Sequence, residues 1–274
     1  KRLLDKLCRL HIIVNNKYME YSMKPFCCLL LITLLNCSHE NINEKLYTVI
    51  KSGDTGLVET LLENGADPNY ELNNSTPVHT AIKHKQYKTL DLLLSKSANV
   101  NKPETLLQST PIVSAVLSKD IEAVKILLKY NPDLLIGPNN LPLPFYAAEA
   151  GNVEIFELLY KKGMPINILI DGYQSANKVN VLMAAAKCGH SDLVKFLLET
   201  DIDPNQKDSL GDPSIGWALF FDQPKTAEVF LNSSKKIELN FKGYQGSALD
   251  LDEQKNYKEI IPLIKSKGGR NSKR

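Results

Sequence analysis

The sequence predicts an all-α solenoid of stacked helix-turn-helix units, and three observations carry that prediction. Helix-ending positions recur at one period: Gly65, Ser97, Asn131, Gly163, Asp201, Ser234 and Gly268 stand 32, 34, 32, 38, 33 and 34 residues apart. Such self-similarity marks architectures in which each unit buries its apolar face only against its neighbours. Each period also holds a short helix rich in small residues and then a longer apolar run, as in Ala184, Ala185 and Ala186 followed by Leu193, Val194, Phe196, Leu197 and Leu198. A turn and a short extended piece close most units: Asp67-Pro68-Asn69, Asn99-Val100-Asn101, Asp203-Pro204-Asn205.

Composition sets the bounds. The chain has 274 residues, 43% of them hydrophobic and 23% charged, which is ordinary for a globular protein. A net charge of +2 supplies no field that argues for nucleic acid or an acidic membrane surface. Of the five cysteines, Cys8, Cys27, Cys28 and Cys37 lie near the start and only Cys188 in the body. That spacing fits neither a zinc site nor a disulfide framework.

Residues 1–43 read as a leader. The sequence opens with Lys1, and Met19 and Met23 are the first methionines. After Met23 come Lys24, an apolar run over residues 26–35, and Cys37. The run is about ten residues, within the span of a secretory signal and short of the ~20 a spanning helix needs. Leu34-Leu35-Asn36-Cys37 resembles a bacterial lipobox, although Asn36 stands where Gly, Ala or Ser is usual. The resemblance implies cleavage before Cys37, lipidation of its thiol and anchoring at a bacterial cell envelope. Ser38 resembles the signal for outer-membrane sorting. The expected segments are 1–22 upstream of the true start, 23–36 signal peptide and 37–43 linker. A plain secretory signal and a structural segment of an unanchored protein are the alternatives.

The body, residues 44–267, carries the clearer resemblance. Residues 180–205, NVLMAAAKCGHSDLVKFLLETDIDPN, resemble one ankyrin repeat, whose pattern runs T-P-L-H-x-A-A, G-H, V-V-x-L-L-L, G-A-D-x-N. The second unit has Thr76-Pro77-Val78-His79-Thr80-Ala81, and the third has Thr110-Pro111-Ile112-Val113-Ser114-Ala115. The first unit lacks the T-P turn and resembles an N-terminal cap. The fourth opens irregularly with Leu141-Pro142-Leu143-Pro144. The sixth is degenerate, Pro213-Ser214-Ile215-Gly216-Trp217-Ala218, with Pro224 expected to interrupt the link between its helices. The seventh, from Ser247, resembles a closing repeat, with Asp252, Glu253 and Lys255 expected on its solvent face. Residues 268–274 read as a disordered basic tail.

No residue points firmly to chemistry. His79 and His190 occupy turn positions where the family's histidine bonds backbone, and His84 falls on a polar helix side. Cys188 beside His190 could suggest a nucleophile dyad, but the turn explains both. Asp201, Asp203 and Asp208 surround a turn without the spacing of a calcium loop. The expectation is a non-enzyme with no cofactor, metal, nucleic-acid partner or small-molecule substrate, touching a membrane only through an N-terminal lipid. The resemblance implies a protein partner met by the concave side, through finger tips and first helices. The 38-residue spacing puts about five extra residues into the finger 168–179, and insertions in repeats often mark the binding face. Its Ile168, Leu169, Ile170, Asp171 and Tyr173 are candidates, although the apolar ones could instead pack onto the stack. By register, Tyr70, Glu71, Lys102, Glu104, Lys207, Asp208, Phe241 and Tyr244 join them as exposed candidates. Trp217 is expected to be packed.

Overall fold

A helix starts where something satisfies the free N–H groups of its first turn, and here the sequence supplies a capping side chain in six of the seven units. Thr76 Oγ1 accepts from the His79 N–H, Asn180 Oδ1 from Met183 and Ser247 Oγ from Asp250. Pro77 and Pro111 add a fixed φ at the first helical position. The computed structural model describes residues 41–272 apart from Ser175 and Gln245. Cys37, the signal-peptide segment and residues 1–22 lie outside the described residues.

The described residues form seven helix pairs: α1 (Ile42–Ser52) and α2 (Thr55–Glu63), α3 (Pro77–Lys83) and α4 (Tyr87–Ser95), α5 (Pro111–Leu117) and α6 (Ile121–Leu127), α7 (Leu143–Ala150) and α8 (Val153–Lys161). The series continues with α9 (Val181–Lys187) and α10 (Ser191–Leu198), α11 (Ser214–Phe220) and α12 (Pro224–Leu231), α13 (Ala248–Lys255) and α14 (Ile260–Ser266). No strand is present among them; isolated β-bridges such as Leu72 with Ser75 pinch the fingers. First helices pack on first helices from α3 through α13, and second helices on second helices from α2 through α14. No described helix is long and apolar enough to cross a membrane.

Two periodic devices make the layers. The fifth residue of five of the seven first helices is a small side chain: Ala81, Ala115, Ala147, Ala185 and Ala218 are each at most 1% exposed. A methyl group suits the close approach of neighbouring helices at this register. The turn into each second helix passes through one left-handed residue, at Gly53, Lys85, Lys119, Gly151, Gly189, Asp222 and Asn256. At Gly151 glycine is required twice over, because φ is +69° and a Cβ would lie 2.3 Å from the His190 ring. The freed imidazole Nε2 meets the Glu149 carbonyl at 2.7 Å.

Several expectations are corrected here. Pro224 does not interrupt the helix link; it sits at the first position of α12, where a missing N–H costs nothing. The left-handed cap closes the second helix at Gly65, Ser97, Asn131, Gly163 and Gly268, but not at Asp201 or Ser234. After α10 the carbonyls of Thr200 and Ile202 are instead satisfied by the Lys235 ammonium, at 2.7 Å each. Asp252 does not face solvent. It stands at the small position of the seventh unit, is 0% exposed, and neither carboxylate oxygen has a hydrogen-bond partner. Burial pushes its carboxyl up to about 6, Glu253 adds to the shift and Lys265 opposes it. Residues 268–272 are no loose tail. The Arg270 N–H donates to Asn240 and the Ser272 N–H to Asp250, so this stretch is the start of one more finger.

The fingers are joined by asparagine. Asn43, Asn69, Asn101, Asn205 and Asn240 each accept, through Oδ1, the backbone N–H of the next unit's finger, at Asp67, Asn99, Asp133, Glu238 and Arg270. All five distances fall between 2.7 and 2.8 Å. The series lapses around the fourth unit. Leu135 stands where the third unit needs the amide, and Pro165 has no N–H to give. Asn167 then meets only the Asp201 side chain, at 3.1 Å.

Candidate protein-docking groove

The long finger is a hairpin that folds back on the stack. Ile170 and Val179 exchange both backbone hydrogen bonds at 2.9 Å, and the Ala176 N–H donates to the Tyr173 carbonyl. Asp171 is exposed but turned to internal use, its Oδ1 accepting from the Lys178 N–H. Leu169 stays half exposed, and Ile168 is partly covered.

Tyr173 takes the packed alternative and is not an exposed tip: it is 7% exposed. Its hydroxyl donates to Glu149 Oε1 at 2.6 Å, and Lys187 Nζ lies 5.0 Å from its ring centroid and 3.5 Å from the same carboxylate. Burial, then Glu149, push the phenol well above its usual range. The ring stacks on Trp217 at 5.9 Å and tilts against Phe145 at 5.7 Å. Trp217 continues to Phe221 at 5.6 Å, and Phe221 to Phe220 at 5.0 Å. An aromatic ladder thus runs from the fourth unit to the sixth across the first-helix layer. Trp217 is packed, as expected.

Two more candidates are corrected on burial. Asp208 is 6% exposed, because it accepts the Trp217 indole N–H at 2.8 Å and the N–H groups of Leu210 and Asp212. Phe241 is 1% exposed and fills the space left by Gly216, where a Cβ would come within 3.1 Å of its ring. Tyr244, in contrast, is 70% exposed. Tyr70, Glu71, Lys102, Glu104 and Lys207 are half-buried, and three are tied to the stack: the Tyr70 carbonyl accepts from Tyr47, Lys102 donates to the Asn69 carbonyl, and Lys207 pairs with Glu238 at 2.9 Å. Burial pushes the Glu104 carboxyl up against the pull of Lys83.

The ladder ends in an open cavity of about 330 Å³ lined by Trp217, Phe220, Leu210 and Tyr244 together with Asp208 and Asp212. Leu210, Phe220 and Tyr244 are exposed apolar side chains around this one groove. Asp212 is half-buried, and its Oδ2 accepts the Tyr244 N–H. Burial pushes it up to about 6, the backbone N–H opposing and Asp208 reinforcing. Sequence reasoning missed Leu210, Asp212, Phe220 and Phe221. The signal was the degenerate sixth unit, where Gly216 replaces the pattern's histidine and two aromatics follow. It also missed Leu106 and Leu107, exposed by 73% and 64% on an earlier finger.

The residues that could suggest catalysis are engaged otherwise. His79 Nε2 meets the Ser109 carbonyl at 2.9 Å and Nδ1 meets Thr76, and burial pushes the ring down to about 4. Burial pushes the Cys188 thiol up, away from the thiolate a nucleophile needs. Among the described residues no cluster of His, Cys, Asp or Glu could hold a metal ion.

Residues 10–104 and 146–242, well over half of the chain, match the family described as ankyrin repeats (3 copies). The chain belongs to the ankyrin-repeat family. A putative ankyrin repeat protein of Fowlpox virus (strain NVSL) is 32% identical over 124 residues, covering 44% of this chain and 28% of that protein. A probable E3 ubiquitin-protein ligase of Oryza sativa subsp. japonica is 29% identical over 161 residues, 54% of this chain and 31% of its own length. The chain therefore spans about a third or less of these ankyrin-repeat relatives. The human ASB11 ankyrin repeat domain superposes with a TM-score of 0.66 at 22% identity, covering 82% of this chain and 98% of that one, a likeness of fold.

Proposed function

We propose that this ankyrin-repeat chain is a non-catalytic scaffold that binds a protein partner in the groove beside Trp217. One observation carries the reading. Leu210, Phe220 and Tyr244 stand 45%, 38% and 70% exposed around a single cavity on the side of the fingers and first helices. Scattered apolar residues on a surface are normal, but three rimming one concavity are how interface anchors are arranged. A photo-crosslinking amino acid at position 244 tests it, with position 161 on the second-helix layer as the control. Discrete protein adducts from position 244 alone are the expected result; equal adducts from both positions would remove the groove from the account.

Attachment at a bacterial envelope is a separate part of the proposal. It rests on Lys24, the apolar run 26–35 and Leu34-Leu35-Asn36-Cys37. Incorporation of a clickable fatty-acid analogue that is lost in Cys37→Ser supports it. An unlabelled wild-type chain favours an adaptor without a lipid, working in the cytoplasm or after export.

A further inference from the structure

We infer that the groove takes an arginine or lysine side chain of an extended peptide, its stem against Phe220 and Tyr244 and its cation at Asp212. The inference rests on the docking reading above and specifies the partner's chemistry.

Asp208 and Asp212 both line the cavity, and the donors they receive are all neutral: the N–H groups of Leu210, Asp212 and Tyr244, and the Trp217 indole. No described lysine or arginine pairs with either carboxylate; the nearby Lys207 is held by Glu238. Two carboxylates beside an apolar wall, with no cation of their own, favour a positive ligand.

The ladder already holds such a cation at its other end. Lys187 Nζ lies over the Tyr173 ring and beside the Glu149 carboxylate, so an ammonium is shared between an aromatic face and an acid. Trp217 is the next ring along. At the cavity end Phe220 and Tyr244 are the exposed rings beside Asp212, which takes the part of Glu149, and the space for the cation is open to solvent. Aromatic faces attract cations, and a long basic side chain can lay its alkyl stem on the same wall.

The backbone also makes room for this acid: a Cβ on Gly243 would lie 1.7 Å from Asp212 Oδ1, so glycine there leaves the carboxylate where it stands.

The test is selection of a phage-displayed random-peptide library on the full chain, followed by titration of the enriched peptides. Asp212→Asn keeps the acceptor for the Tyr244 N–H, and thermal unfolding confirms that it folds. Enriched peptides are expected to share an arginine or lysine beside an apolar residue. Replacing that arginine by citrulline (neutral, same shape), or the lysine by norleucine, should weaken binding to the wild type about tenfold or more, and to Asp212→Asn less than about twofold. Undiminished binding of the neutral peptide overturns the charge inference, yet leaves the groove standing if Leu210→Ser and Tyr244→Ala still abolish capture. A selection that yields no peptide sensitive to those two substitutions overturns the docking reading itself.

Discussion

The fifth and seventh units follow one plan and differ at its tightest point. In the fifth, Ala185 lies fully covered between α7 and α11; in the seventh, Asp252 occupies the same register with both oxygens buried and unpartnered. The residue two before it, Asp250, shows what a carboxylate on this helix gains from partners. Burial raises its pKa too, but the backbone and hydroxyl donors of Ser247 and Ser272 outweigh that and hold it well below the usual range. Two acids within one helical turn are thus driven in opposite directions. Location alone does not decide the cost of a buried charge; the donors within reach do.

The sharpest way to break the comparison is to move the acid. Ala185→Asp should destabilise the stack by about 3–5 kcal/mol, since the central position offers it no donor and no room. Chemical denaturation of the purified variant measures this, and a loss below about 1 kcal/mol would mean that the small position is not as tight as the packing shows.

The reverse exchange comes next. Asp252→Ala restores the residue found in five of the six other first helices and should stabilise the chain by about 1–3 kcal/mol at pH 7. It should also flatten a pH dependence. Above about pH 6 the folded and unfolded chains both hold Asp252 ionised, and the whole penalty is felt. As pH falls from there toward 3.8, the folded chain keeps a proton that the unfolded chain lacks, so this residue's penalty fades. Melting temperatures of the two proteins should therefore converge on acidification from pH 7 to pH 4.5, and a constant gap would contradict the assignment.

The smallest effect separates two threonines at equivalent places. Thr76→Val removes the cap on the His79 N–H and the bond to its ring, and should cost about 1–2 kcal/mol. Thr110 Oγ1 is buried without a partner, so Thr110→Val should change stability by less than about 0.5 kcal/mol. Equal losses at both sites would show that the hydroxyl of Thr110 is bonded after all.

The fold was legible because its causes are local and repeated. The period, the T-P starts, the small residue and the left-handed stops each leave a residue type at a fixed offset. The groove was hidden because its cause is not local. The finger's sequence left Tyr173 open between a binding tip and packing, and only the stack reveals Trp217 waiting a full unit later to cover it. Asp208 and Phe241 likewise sat at tip positions by register, while an indole N–H and the vacancy above Gly216 drew them inward. What did leave a trace was departure from pattern: Gly216 for histidine, Pro213 for threonine, Asp252 for alanine. The first two mark the groove, and the third marks the strained closing unit.

The asparagine joints have a mechanical consequence. When the two ends of the stack are pulled apart, load passes from finger to finger through those amides as well as through the packed helices. Past the fourth unit the Ser209 N–H still reaches the Asn177 carbonyl, but between the third and fourth Leu135 and Pro165 leave the joint out. Under tension the chain should part there first, into an amino-terminal block of three units and a carboxy-terminal block that carries the groove whole.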